Sequence, residues 1–114
     1  MPGTIKRTFG PVALTTTYTT NVYNNTSALI YDVVRYLIVC NKDSSARTFR
    51  LYVGATGANA AGTELFFDVS VGVGETKIIP LGSGLKLVST DFLVGGASAA
   101  TALTITGVGE QVVV

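Results

Sequence analysis

Val, Ile, Thr, Tyr and Phe alternate with polar residues in short runs along this chain, broken by Gly, Asn, Asp and Ser, and no apolar period of 3.6 residues runs through it. A period of two sends successive side chains to opposite faces of a strand, so the pattern predicts β-structure throughout. The first run, residues 12–20, sets Thr15, Thr17 and Thr19 against Thr16, Tyr18 and Thr20, which suits an outer strand. Asn24, Asn25 and Ser27 then mark a turn. Residues 32–41 read as the strongest strand, with Val34, Tyr36, Ile38 and Cys40 on one face and Val33, Arg35, Leu37 and Val39 on the other. Being apolar on both faces, it is expected to be central and covered on both sides.

Residues 42–46 close a hairpin into 47–53, where Phe49, Leu51 and Val53 are expected in the core and Thr48, Arg50 and Tyr52 outside. Residues 54–62 are small and unpatterned and read as a loop. In 64–71 the alternation places Leu65, Phe67, Val69 and Val71 inward and leaves Phe66 on the outer face. Glycine turns at 72–74 and 82–84 separate strands 75–81 and 85–89, a short apolar piece covers 92–94, a flexible stretch covers 95–100, and the last long strand covers 101–108. About eight strands at this spacing predict an all-β fold, a single antiparallel β-sandwich of jelly-roll-like form. The expected layout is an N-terminal arm over residues 1–11 and a β-sandwich domain over 12–114.

Composition changes this picture in one direction. Only 13% of the 114 residues are charged, against about 25% in ordinary globular domains, so part of the apolar surface is expected to meet another chain. The formal charge of +1 is spread along the sequence, which argues against a nucleic-acid partner. No run approaches the ~20 apolar residues of a membrane span, and the N-terminus lacks a signal-peptide layout, so synthesis in the cytoplasm and no membrane partner are expected. The single Cys40 has no partner for an internal disulfide and, lying in an apolar run, is expected to be buried. Two overlapping glycosylation sequons at 24–27 read as turn chemistry.

The chain has no histidine, which removes the commonest general base, the Ser-His-Asp and Cys-His arrangements, and a metal site built from His and Cys. Asp32, Asp43, Glu64, Asp68, Glu75, Asp91 and Glu110 are scattered rather than paired, and the glycine-rich stretches carry no phosphate-binding pattern. The five tyrosines lack the basic residues that accompany nucleic-acid stacking platforms. No catalytic residue, cofactor or metal is therefore expected, and the chain reads as a non-enzyme.

One set of segments resembles small bacteriophage virion β-sandwich proteins, the capsid decoration, head-fibre and tail-associated modules. These are Val39-Cys40-Asn41, the polar stretch 43–46, the strand 47–53 (Arg-Thr-Phe-Arg-Leu-Tyr-Val), Gly74-Glu75-Thr76 with the apolar strand that follows it, and Gly84-Leu85-Lys86-Leu87. The resemblance covers about the last three quarters of the chain. It implies a virion β-sandwich that acts as a homo-oligomer.

Together these readings lead to a structural virion protein, a capsid decoration (cement) or surface protein acting by symmetric contacts. Its expected partners are itself, with a trimer favoured, and a major capsid or tail protein. The residues expected at such contacts are Lys6, Arg7, Phe9, Phe66, Val112, Val113 and Val114, with the terminal valines paired to a sheet edge or lying in a subunit contact. The alternative is a tail-fibre or baseplate module that binds a host glycan or protein through loops at 54–62 and 95–100. A third is a small hydrolase built on paired carboxylates.

Overall fold

A computed structural model describes residues 4–25, 27–54 and 59–113. Eight strands run in the order β1 (Thr4–Ala13), β2 (Thr20–Asn24), β3 (Ile30–Asn41), β4 (Arg47–Gly54), β5 (Glu64–Val71), β6 (Thr76–Leu87), β7 (Phe92–Ala97) and β8 (Leu103–Val113). They form two four-stranded antiparallel sheets, β1-β8-β3-β6 and β2-β7-β4-β5. The direct pairs are nested: first with last, second with seventh, third with sixth, fourth with fifth. This is one long double-stranded hairpin wound so that successive pairs fall in alternate sheets, the jelly-roll arrangement.

The core lies between the sheets and holds Leu37, Val39, Phe49, Leu51, Leu87, Leu93, Leu103 and Ile105, all fully buried. The strand count agrees with the sequence pattern, but the partition differs. Residues 75–81 and 85–89 are not two strands: Gly82 and Gly84, both at positive φ, let β6 bulge outward over 81–84 and continue. Residues 15–19 are not a strand either, because the Thr15, Thr17, Thr19 and Thr20 hydroxyls bond one another and hold a turn. Residues 4–11, part of the expected N-terminal arm, belong to β1, which pairs with β8 from Thr4↔Gln111 to Ala13↔Thr104.

Two bulges reverse the expected facing. Arg35 is an extra residue between Val34↔Gly109 and Tyr36↔Val108. Before it Asp32 and Val34 point inward; after it Leu37, Val39 and Asn41 do, so Tyr36, Ile38 and Cys40 face outward. Cys40 is accordingly exposed, not buried. In β5 the register shifts between Phe49↔Val69 and Leu51↔Phe66, with Asp68 at φ 52°. Phe66 therefore turns inward against Phe49, ring centroids 5.9 Å apart, and Phe67 turns out. The expected outward Phe66 is corrected by one added residue in the ladder.

Asn41 ties the sheets together at one end. From β3 its Nδ2 donates to the carbonyls of Val71 on β5 and of Ser45, both at 3.0 Å, while its Oδ1 accepts from the Asp43 amide at 2.8 Å. Asn41→Ala removes all three bonds and strands the buried Val71 carbonyl, so a loss of about 2–3 kcal/mol is expected. Urea unfolding with an unchanged slope checks it.

Candidate functional site

Residues paired across a ladder share a face, so the registers lay out the outer surface of the β1-β8-β3-β6 sheet row by row. One row runs Arg7, Val108, Tyr36, Pro80 across all four strands. The next holds Thr106, Ile38 and Ile78, and the one after it Thr104, Cys40 and Thr76. On the other side of the first row lie Ile5, Glu110, Val33 and Lys86. Ile78 is 63% exposed and Ile5 78%; Tyr36, Ile38 and Val108 are half-buried among their neighbours, and Pro80 is exposed. The surface has an apolar centre with Arg7 at its β1 edge, and on one flanking row Lys86 and Glu110, the latter held by Arg35 at 3.3 Å.

The opposite outer face is partly covered by the chain itself, although Phe67 on β5 stays 56% exposed. The amide of Ala97 donates to the Thr15 carbonyl at 2.8 Å, and a Cβ added to Gly96 would meet Tyr18 Cα at 2.6 Å, so the 14–19 segment lies directly on β7. Arg50 covers the surface next to it. Its guanidinium stacks 4.5 Å from the Tyr18 ring and 4.0 Å from the Phe67 ring, and it donates twice to the Asp68 carboxylate. Those bonds hold the Asp68 carboxyl below its ordinary range. Tyr52, although on an outward position of β4, is buried beneath this cover.

The residues expected at contacts separate. Arg7 lies on the open outer face beside Val108, and Val112 lies on the same face beside Tyr31. Lys6 is exposed but on the other side of β1, opposite Gly109. Phe9 is a core residue, 8% exposed, whose ring occupies the space left by the missing side chain of Gly107. Phe66 packs against the core as described. Val113 pairs with Ile30 and is exposed, so the end of β8 extends the ladder with β3; Val114 lies outside the described residues. Of the loops expected to bind a glycan, 55–58 also lie outside the described residues, and Gly95, Gly96 and Ala97 are buried within β7 instead of forming a flexible tip.

A second feature lies where the sheets part, between β1 and β2. A cavity of about 440 Å³ opens there, bordered by Thr8, Phe9, Tyr23, Asn25, Asp32 and Gln111 among others. Asp32 is buried, and its Oδ2 accepts a short hydrogen bond from the Tyr23 hydroxyl. Burial first, then that bond and the charges of Asp32 and Asp91, push the Tyr23 phenol well above its ordinary value, so it stays a proton donor. Asp32 Oδ1 and Thr8 Oγ1 are buried without a hydrogen-bond partner. Asn25 shapes the rim: its Nδ2 donates to the Ile30 carbonyl and its Oδ1 accepts from the Ser27 amide, which is the turn chemistry the sequence indicates. The sequence signal for this site is a carboxylate two residues before Val34 on the inward face of an apolar strand. Among the described residues no cluster of three or more His, Cys, Asp or Glu side chains is placed to hold a metal.

No protein-family model, no curated protein and no solved structure matches this chain.

Proposed function

We propose that the chain is a non-enzymatic structural protein of a bacteriophage particle, a capsid decoration or surface protein that works through repeated protein–protein contacts. The observation that carries this reading is the apolar outer face of the β1-β8-β3-β6 sheet, built on Tyr36, Ile38, Ile78, Pro80 and Val108, with an opposite face that the chain covers in part with its own 14–19 segment. The resemblance of the 39–53 and 74–87 segments to phage virion modules supports it, as does the jelly-roll architecture, which recurs in viral capsid domains; the latter is analogy at the level of fold.

The first occupant of the face is a second copy of this chain. Sheet edges are poor routes to association here. β6 carries Pro80 and a bulge, β5 the Asp68 bulge, and β1 Pro11 and two register shifts, all of which interrupt a continuous row of pairing groups. A copy laid face to face about a two-fold axis along β3 would set Glu110 over Lys86 and Lys86 over Glu110, around the apolar centre. Copies arrayed on a lattice then add weak contacts to a capsid or tail protein by avidity.

Ile78→Lys places a charge on this face, on its edge strand β6, without touching the core. Light scattering during size-exclusion chromatography is expected to show an even-numbered oligomer for the parent and a monomer for the variant. A parent that stays monomeric at every concentration, or a trimer untouched by Ile78→Lys, would remove the face from the assembly.

A further inference from the structure

We propose that the cleft between β1 and β2 binds a neutral carbohydrate, with Asp32 as the residue that orients it. The cavity of about 440 Å³ falls in the range of about 300–1,000 Å³ typical of small-ligand sites. What it offers a ligand is specific. Asp32 is 4% exposed, one of its oxygens is held by Tyr23, and the other has no partner. A carboxylate only accepts, so the vacant position calls for a donor. Thr8, the extra residue of a β1 register shift, borders the same cavity, and its buried hydroxyl is likewise without a partner. Gln111 faces Asp32 across the β3–β8 ladder and contributes an amide that can donate and accept at once. Phe9 and Ile30 add apolar wall for the C–H side of a sugar ring.

The alternatives fit less well. Among the described residues no Lys or Arg borders the cavity, so a phosphate or an acidic sugar would meet Asp32 with no opposing charge. Among the described residues Asp32 is the only carboxylate on its wall, whereas calcium draws on six to eight oxygens, several of them charged. A polyol supplies hydroxyl donors for Asp32 and acceptors for the Gln111 amide while bringing no charge of its own. The cleft opens at the gap between the sheets and does not share the outer face assigned to assembly, so the two roles separate in experiment.

The test is titration of the isotope-labelled protein, followed by amide NMR, with glucose, galactose, mannose, N-acetylglucosamine and rhamnose as free sugars, and with inorganic phosphate and calcium as controls. At least one sugar is expected to give saturable shifts at residues 8–10, 23–25 and 111. Gln111→Ala, at a half-exposed position that leaves the core intact, is expected to weaken that binding about tenfold, the size of one well-made hydrogen bond. Asp32→Asn, where it folds, is expected to abolish it. Absence of saturable shifts at these residues with all five sugars would overturn the proposal. So would sugar binding indifferent to Gln111→Ala, or a response there to phosphate or calcium alone.

Discussion

Phe49→Ala is expected to destabilise the protein by about 3–5 kcal/mol, the range for an aromatic removed from a packed core. Phe49 is fully buried on β4, and its inward position is fixed from both sides, by Ala97 on β7 and Val69 on β5. The Phe66 ring lies tilted against it, so the truncation empties space that a second aromatic also borders. Neither neighbour can swing in to fill the gap, because the Asp68 bulge sets the direction of Phe66 and the ladder sets that of Ala97. With about 5–15 kcal/mol of total stability typical of a domain, a loss of this size is expected to leave a partly unfolded population in buffer. Urea unfolding monitored by circular dichroism reads it; a change below about 1 kcal/mol would mean that the β4–β5 register differs from the one described.

Gly109→Ala is expected to be nearly as damaging for the opposite reason. The added Cβ would overlap the Val33 carbonyl oxygen and stand 2.8 Å from the Val33 carbonyl carbon and 2.9 Å from Val34 Cα. These are main-chain atoms of the central strand β3, next to its Arg35 bulge, and they cannot move aside as a flexible side chain would. Overpacking of this kind costs typically 1–3 kcal/mol and more where backbone must shift, and about 3 kcal/mol is expected here. Gly74→Ala supplies the contrast: nothing lies within 4 Å of a Cβ there, and the strain is only that of a positive φ of 67° in an exposed turn. A smaller loss for Gly109→Ala than for Gly74→Ala would contradict the close approach of β8 to β3.

These two sites also show what the sequence could and could not convey. The all-β class, the strand count and most inward residues of β4 and β8 follow from alternation and glycine punctuation, since Phe49, Leu51, Leu103 and Ile105 occupy the positions that a period of two assigns them. The errors cluster at bulges. Arg35 and Asp68 carry no residue-type signal for an inserted position, because the extra residue is imposed by the partner strands, and everything beyond each insertion changes face. That single cause moved Cys40 to the surface and exchanged Phe66 for Phe67. β1 was hidden for another reason: Lys6, Arg7 and Pro11 interrupt the alternation of an edge strand whose inward side is only partly covered. The Asp32–Tyr23 pair was hidden because the two residues lie on different sheets, and only the fold brings them into contact.

The nested order of strand pairs has a consequence for how the chain reaches its structure. β1 has a single neighbour in its sheet, β8, so Thr4 waits for Gln111. Local hairpins can form early at β4–β5, but the sheet that holds the first strand closes last, and loop-closure entropy must be overcome before that contact returns any energy. During synthesis residues 4–13 emerge before their partner strand and remain without a mate until residues 103–113 have cleared the ribosome. The first strand of the jelly roll thus finds its place only after the last one is available, and refolding on the slow millisecond-to-second scale of non-local β-topologies is built into the order of its strands.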